Sequence, residues 1–374
     1  MSDSWIDCSA CGNRYGAYLS YCPACSTPNN FAAGPPKKSA AGKIAAGAIV
    51  AIVVVALFLS APTLLGFISQ QKDNPAISIL QPLGPEPKTV PREELVQYAL
   101  RVINDDREDF GLLPVELSPN QAAQVHAEDV LRTKQISHWM TTGEKPYMTY
   151  TRYSGEGSVQ QNVAIAGFSA AQYEECRTSI LVDCEKIEPI STIEELESEM
   201  MYNDKECCND GHRNNILDPR HTHVSIGIVY DEYYLAFVQN FENNYGLDVS
   251  VNNGQIRISG QLEEGELEQI SIYYDKMPDP DAYEENKQRL SYSAGDLVAI
   301  VVKPLPPGYF YENTGDYTLV QANRWGEGSS VNVMFNLASA VQDDGVYTLF
   351  ALVKDGEETY EVTSYSIFVD SQDS

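Results

Sequence analysis

The chain is short of positive charge. Its 374 residues carry 25 Lys and Arg against 53 Asp and Glu, a net charge of -28. Residues 1–43 hold Arg14, Lys37, Lys38 and Lys43 against only Asp3 and Asp7, so the deficit belongs to the rest, with 21 basic and 51 acidic side chains. A surface that negative repels phosphate backbones and anionic headgroups, which excludes nucleic acid as a partner of the main body and favours divalent cations or cationic partners. Histidine is scarce: the five are His126, His138, His212, His221 and His223. Cysteine is absent after Cys208, so the C-terminal third can form no disulfide. Charge is missing altogether from Ile44 to Ile68. The length exceeds one ordinary core and implies about two or three folded units.

The uncharged run, "IAAGAIVAIVVVALFLSAPTLLGFI", exceeds the roughly 20 apolar residues that cross a hydrocarbon core, so 44–68 is expected to be one transmembrane helix, with Pro62 kinking or ending it. A buried soluble helix is the alternative, but no face of the run is polar. A cleaved signal peptide is the other; about forty residues precede the run, and it is longer than a signal core. Lys37, Lys38 and Lys43 flank the near side and only Lys72 the far side. The positive-inside rule then keeps the N-terminus cytoplasmic and places everything beyond about residue 70 outside a cell membrane crossed once.

Cys8, Cys11, Cys22 and Cys25 form two Cys-x-x-Cys pairs within residues 1–28. Four thiolates suit a closed tetrahedral structural zinc site, although the pairs lie closer together than is usual. With Tyr21 before the second pair, the segment resembles the zinc ribbons at the N-termini of many prokaryotic membrane proteins. A redox pair is the rival, and no βαβ pattern surrounds these cysteines to support it. A basic linker, 29–43, leads to the membrane run. After it, 69–89 reads as a stalk, because "DNPAISILQPLGPEPK" carries four prolines and no periodicity.

Helical spacing begins at Pro91, through Leu95, Tyr98, Ala99, Val102 and Ile103. Ser118 with Gln121 predicts a capping box opening a second helix that ends near His138, and Ser191 with Glu194 predicts another opening a helix from Thr192 to about Asp204. "VSIGIVY" and "YLAFVQNF" predict a hairpin. Helices first and strands last imply an α/β/α-layered domain over 90–243. From 244 to 374 the chain reads as about eight short strands, starting with a hairpin turning at Asn253-Gly254, and an antiparallel β-sandwich is the economical fold. Tyr347 is a tyrosine-corner candidate resembling an immunoglobulin or fibronectin type III strand entry. No catalytic cluster is visible in this module, whose simplest role is a spacer.

"GLLPVELSPNQAAQVHAEDV", "ISHWM", "QNVA", "GHRNNILDPR", "VSIGIVY" and "YLAFVQNFE" follow one another in a fixed order. That order resembles the CAP superfamily of cysteine-rich secretory, antigen 5 and pathogenesis-related 1 proteins, in its prokaryotic SCP-like branch. The resemblance implies a shallow cleft lined by two histidines and two acids, whose histidines can hold zinc or another divalent ion. His138 and His212 stand at the histidine positions. Gln161 stands where a "GEN" motif has its acid, and Asp204 is the nearest match to the second acid, with Glu197 and Glu199 as fallbacks. A glutamine cannot act as a base, so Asp204 is the candidate catalytic carboxylate, and a hydrolase is correspondingly weakened. His126 reads as an ordinary helix histidine. His221 and His223 share a face if extended but lack a third ligand.

Cys176, Cys184, Cys207 and Cys208 lie where disulfides persist if the topology holds. Adjacent cysteines rarely join, so each of the first two is expected to pair with one of the last two. A metal cluster built on Cys208 and His212 is the rival. The whole then reads as a multidomain membrane-anchored surface protein whose CAP domain binds a small apolar ligand, an envelope component or a protein partner. The alternative is a metal-dependent hydrolase acting on peptides or envelope material.

Overall fold

The computed structural model describes residues 89–374 apart from 179–183, 313–314 and 371–374, together with residues 5–7 and 14–16. Chain contacts divide it into Met1–Thr89 and Val90–Ser374. In the first unit, β1 (Trp5–Asp7) and β2 (Arg14–Gly16) form an antiparallel pair. Cys8, Cys11, Cys22 and Cys25, the 29–43 linker, the 44–68 run and nearly all of the stalk lie outside the described residues. Among the described residues no helix is long and apolar enough to cross a membrane.

The second unit opens with α1 (Arg92–Asp109), β3 (Glu116–Leu117), α2 (Ala122–Thr133), α3 (Pro146–Arg152), β4 (Ser158–Ala166) and α4 (Ala170–Thr178). There follow α5 (Pro189–Tyr202), α6 (Lys205–Cys208), α7 (Gly211–Ile216), β5 (His223–Tyr230) and β6 (Leu235–Asn243). The sheet order is β3-β5-β6-β4, with β3 parallel to β5 and the other pairs antiparallel.

Side-chain alternation explains the three layers. Leu235, Phe237 and Phe241 of β6 pack with Leu95, Ala99 and Ile103 of α1 and Ile193 and Met200 of α5. Ala236 and Val238, facing the other way, pack against Ala123, Ala127 and Val130 of α2. Helix α2 sits very close to the sheet, because a Cβ at Gly227 would lie 2.0 Å from the Ala123 carbonyl oxygen.

Neither expected capping box forms. Helix α2 starts at Ala122, whose N–H is taken by Asn120 Oδ1, while Ser118 Oγ accepts from Asn120. Helix α5 starts early because Pro189 occupies its first turn and Glu188 caps Ser191 N–H. Helix α2 also stops short of His138, at Lys134, which takes a left-handed φ of 56°.

The remainder is β7 (Asp248–Asn252), β8 (Gln255–Gln261), β9 (Glu266–Asp275), α8 (Pro280–Asn286), β10 (Asp296–Val302), β11 (Thr318–Gln321), β12 (Ser330–Asn336), β13 (Gly345–Asp355) and β14 (Glu358–Val369). Sheets β11-β10-β9-β13-β14 and β12-β8-β7 enclose a core of Ile256, Ile258, Ile270, Val301, Phe335 and Leu349. The sandwich is not wholly antiparallel: β11 runs parallel to β10, and residues 303–317 supply the long connection a parallel pair needs. Asn253 and Gly254 both take positive φ, as a tight hairpin turn requires. The Tyr347 hydroxyl accepts from Gln342 N–H at 3.0 Å and donates to Asp343 O at 2.9 Å, tying the entry of β13 to the preceding turn.

The sandwich packs directly against the first module. Asp275 accepts from Lys145 at 2.6 Å and Tyr147 at 2.7 Å, Ser158 Oγ donates to Glu361 Oε2 at 3.1 Å, and Ser364 N–H donates to Gly157 O at 3.0 Å. Tyr147, Met148, Tyr150 and Val159 share an apolar cluster with Val346 and Phe350. The two modules are packed into one body.

Candidate functional site

Strand β4 lies at the edge of the first sheet, and its residues 159–162 line a cavity of about 390 Å³ shared with His138, His212, Asn215, Tyr292, Phe350 and Glu361. Cross-strand pairing decides which side each floor residue serves. Gln161 pairs with Asn240 and Asn162 with Gln239, so each pair shares a face of the sheet. Gln161 and Asn240 serve the α2 side, while Asn162 and Gln239 serve the α5 and α7 side.

On the α2 side, three residues fix one another. His126 Nε2 lies 2.8 Å from Ser137 O, an acceptor only, so that nitrogen carries the proton. His126 Nδ1 then accepts from Gln161 Nε2 at 3.0 Å, and the same amide donates to Asn240 Oδ1 at 3.0 Å. Gln161 Oε1 is left to accept from His138 Nδ1 at 3.1 Å. His138 is thereby held through Nδ1, and the Leu290 backbone is a second hydrogen-bond partner of its ring. Burial pushes both His126 and His138 down to about 4, so both rings are neutral near pH 7.

On the other side, Asp204 Oδ1 accepts from His212 Nδ1 at 2.6 Å, and its Oδ2 accepts from the N–H groups of His212 at 2.7 Å and Arg213 at 3.3 Å. Asp204 thus caps α7 and fixes the His212 ring through Nδ1, leaving its Nε2 without a protein partner among the described residues. The turn before it places Asn209 and Asp210, rather than Gly211, in left-handed conformations with φ of 57° and 61°. Asn162 Nδ2 supports the His212 carbonyl at 3.2 Å, and Arg107 holds the exit of α7 through Ile216 O at 2.6 Å and Asp218 O at 3.0 Å.

These geometries revise several expected roles. Asp204 is 2% exposed and does not line the cavity; both its oxygens are engaged at the α7 N-terminus, so it orients His212 instead of facing bound water. Glu197 is fully buried, accepts from Gln239 Nε2, and is pushed up to about 8 by burial. Glu199 sits on the outer surface of α5, holding Asn203. His221 is buried between Asn243 at 2.8 Å and Asn215 at 2.9 Å, whereas His223 is 3.8 Å from Glu116, so these two do not converge.

The cysteine pairing is corrected too. Cys176 joins Cys184, with 5.7 Å between their Cα atoms, and Cys207 joins its neighbour Cys208. The end of α4 and the segment at Cys184 supply a local partner, so no bridge is needed from this insert to α6. Cys208 lines the cavity.

Four contributors had no sequence signal as site residues. His126 and Asn240 set the Gln161 amide. Tyr292, from the chain between α8 and β10, packs on His138 with ring centroids 5.0 Å apart. Glu361 of β14 adds a carboxyl whose pKa burial raises, opposed by its bond from Ser158. Pocket residues supplied by a second module carry no motif; only the packing brings them in.

The cysteine-rich secretory protein family, CAP, has a model that matches residues 100–241. Among solved structures, an extracellular protein containing a SCP domain from Bacillus anthracis is similar, with 21% identity, 41% of each chain covered and a TM-score of 0.28. The chain thus spans about two fifths of that protein's length. No curated protein matches.

Proposed function

We propose that the CAP-matching segment binds a small ligand in the His138–His212 cleft, with a divalent cation held between the two imidazoles. One observation carries this: His138 and His212 line one cavity, each with Nδ1 committed to a protein acceptor. Such inward hydrogen bonds are the usual outer support of a metal-ligating histidine, fixing the tautomer that offers the other nitrogen. A His138 ring that burial keeps neutral, with open coordination positions beyond both rings, fits a borderline divalent ion. The cavity volume suits a small molecule, and the wall mixes the aromatic rings of Tyr147, Tyr292 and Phe350 with Gln160, Asn162 and Asn215. The net charge of -28 favours cations near the protein.

Titration of the full chain with Mn²⁺, beside the His138→Ala/His212→Ala double variant, tests this. A binding class present in the parent and missing from the variant is expected; equal uptake removes the site. Mass spectrometry of small molecules retained by the purified chain then identifies the ligand.

A metal-dependent hydrolase is the second reading, and Glu361 is what favours it. It is the carboxyl among the described residues that lines the cavity, and a carboxyl raised by burial suits acid–base work. Glu361→Gln should abolish any peptide or envelope hydrolysis while sparing ion binding. The uncharged 44–68 run supports a membrane anchor, with the cleft outside the cell. Thiol labelling of intact cells should then leave Cys8 unlabelled.

A further inference from the structure

Asp204, Cys207, Cys208 and His212 are separated by three, one and four positions, which puts them on successive turns around α6 and α7. Each offers one ligand atom, and those four atoms lie within 4.8 Å of one another. Asp204 is buried, Cys208 and His212 are half-buried, and Cys207 is exposed, so the cluster opens to solvent on one side. Cys207 Sγ is already 3.5 Å from Asp204 Oδ1.

We infer that these four side chains form a second metal site, of S₂NO composition, that exists only when the Cys207–Cys208 bond is reduced. Two thiolates, one imidazole and one carboxylate are a tetrahedral set for zinc-class ions. Donor atoms around such an ion stand about 3–4 Å apart, so side-chain rotation within the present cluster suffices. The carboxylate is held ready, because Asp204 Oδ2 keeps its bonds to the His212 and Arg213 N–H groups while Oδ1 turns to the metal.

The chemistry balances as follows. A dithiol reductant passes two electrons and two protons to the Cys207–Cys208 bond and becomes a disulfide itself. The ion then displaces both thiol protons to water and takes the place of the proton between His212 Nδ1 and Asp204 Oδ1, which moves to Nε2. A protonated Nε2 cannot ligate a second ion. Filling the thiolate site therefore removes His212 from the cleft proposed above; this consequence alone rests on that reading.

The test uses the full chain, reduced with a dithiol, freed of it without oxygen, and titrated with Co²⁺ alone. Against a Cys207→Ser/Cys208→Ser variant, the parent should show additional thiolate-to-cobalt charge-transfer absorption that is complete at one Co²⁺ per chain. The N-terminal cysteines contribute equally to both and cancel. Under oxidising conditions the difference should vanish. Identical spectra in the reduced state, or an unchanged difference after oxidation, overturn the site. Cys207→Ala alone, which keeps one thiolate, should show a reduced band if the double variant misfolds; a full band also overturns it. His138→Ala should leave the increment untouched, so loss of the cleft ion and loss of this site are separable.

Discussion

The two modules of the Val90–Ser374 unit bury different chemistry. In the sandwich, the fully buried polar side chains among the described residues are hydroxyls, Ser271, Thr348, Thr363, Ser364 and Ser366, and the Glu361 carboxyl is half-buried at the cavity. In the CAP-matching module they include Arg107, His126, Gln161, Asn162, Glu197, Asp204, Asn215, His221, Gln239, Asn240, Glu242 and Asn243. A buried amide or charge is tolerated only when hydrogen-bonded, and each costs more to leave unpaired than a hydroxyl. The first module accepts that cost, and three of these side chains, Gln161, Asn162 and Asn215, line the cavity. The second is built for cohesion, and it reaches the cavity through a few projecting residues, Tyr292, Phe350 and Glu361.

The largest test of this contrast is an apolar truncation in the sandwich. Phe335 is fully buried, and Phe335→Ala should cost about 3–5 kcal/mol in denaturant unfolding. If cohesion resided elsewhere, the midpoint would hardly move. Next is the pH dependence of the polar side. His126 titrates near 4 in the folded state against an ordinary 6.5. The folded form therefore resists protonation, so its contribution is complete above 6.5, declines as pH falls from 6.5 to 4, and is flat below. The depth is on the order of 3 kcal/mol at most. Glu197, pushed up to about 8 from 4.5, works in the opposite sense, eroding stability as pH rises from 4.5 to 8. His126→Gln should make the acid limb shallower, with His138 supplying the rest, and Glu197→Gln should flatten the alkaline limb in melting curves taken across pH; unchanged limbs would break the assignment.

A smaller effect is expected from Asn162→Ala. It unpairs Gln239 Oε1, the Asn215 amide and the His212 carbonyl together, for about 1–3 kcal/mol. It should also weaken ion binding, which Phe335→Ala acts on only through unfolding. Smallest is Tyr347→Phe, which removes the hydroxyl at the β13 entry for about 1 kcal/mol and should leave the cleft as it was.

Sequence periodicity was enough for the layered α/β/α module and for a following run of short strands, because alternating apolar positions in "VSIGIVY" and "YLAFVQNF" must be buried. The approximate place of His138 and His212 also followed from the ordered motifs. The role of Gln161 did not. Alone it looks like a lost acid; only its pairing with His126 and Asn240 makes it the group that fixes the His138 tautomer. The motifs suggest Asp204 as a cleft acid, whereas it caps α7 and holds His212 Nδ1, since a helix cap and a cleft carboxylate look alike in one dimension. The cysteine pairing failed because a statistical rule against adjacent bridges competed with local geometry. Helix starts slipped where Asn120 and Glu188, rather than the expected serines, met the first free N–H groups.

His138 and His212 face one shared cavity, each tied to the protein through Nδ1. Long-range proton–nitrogen correlation of ¹⁵N-histidine-labelled protein, with Mn²⁺ added in substoichiometric steps, reads this directly. The expected result is that His138 and His212 both appear as Nδ1–H tautomers and broaden together, while the buried His126 keeps its proton on Nε2. Broadening of one ring without the other, or an Nε2–H tautomer at His138 in the metal-free protein, would contradict it.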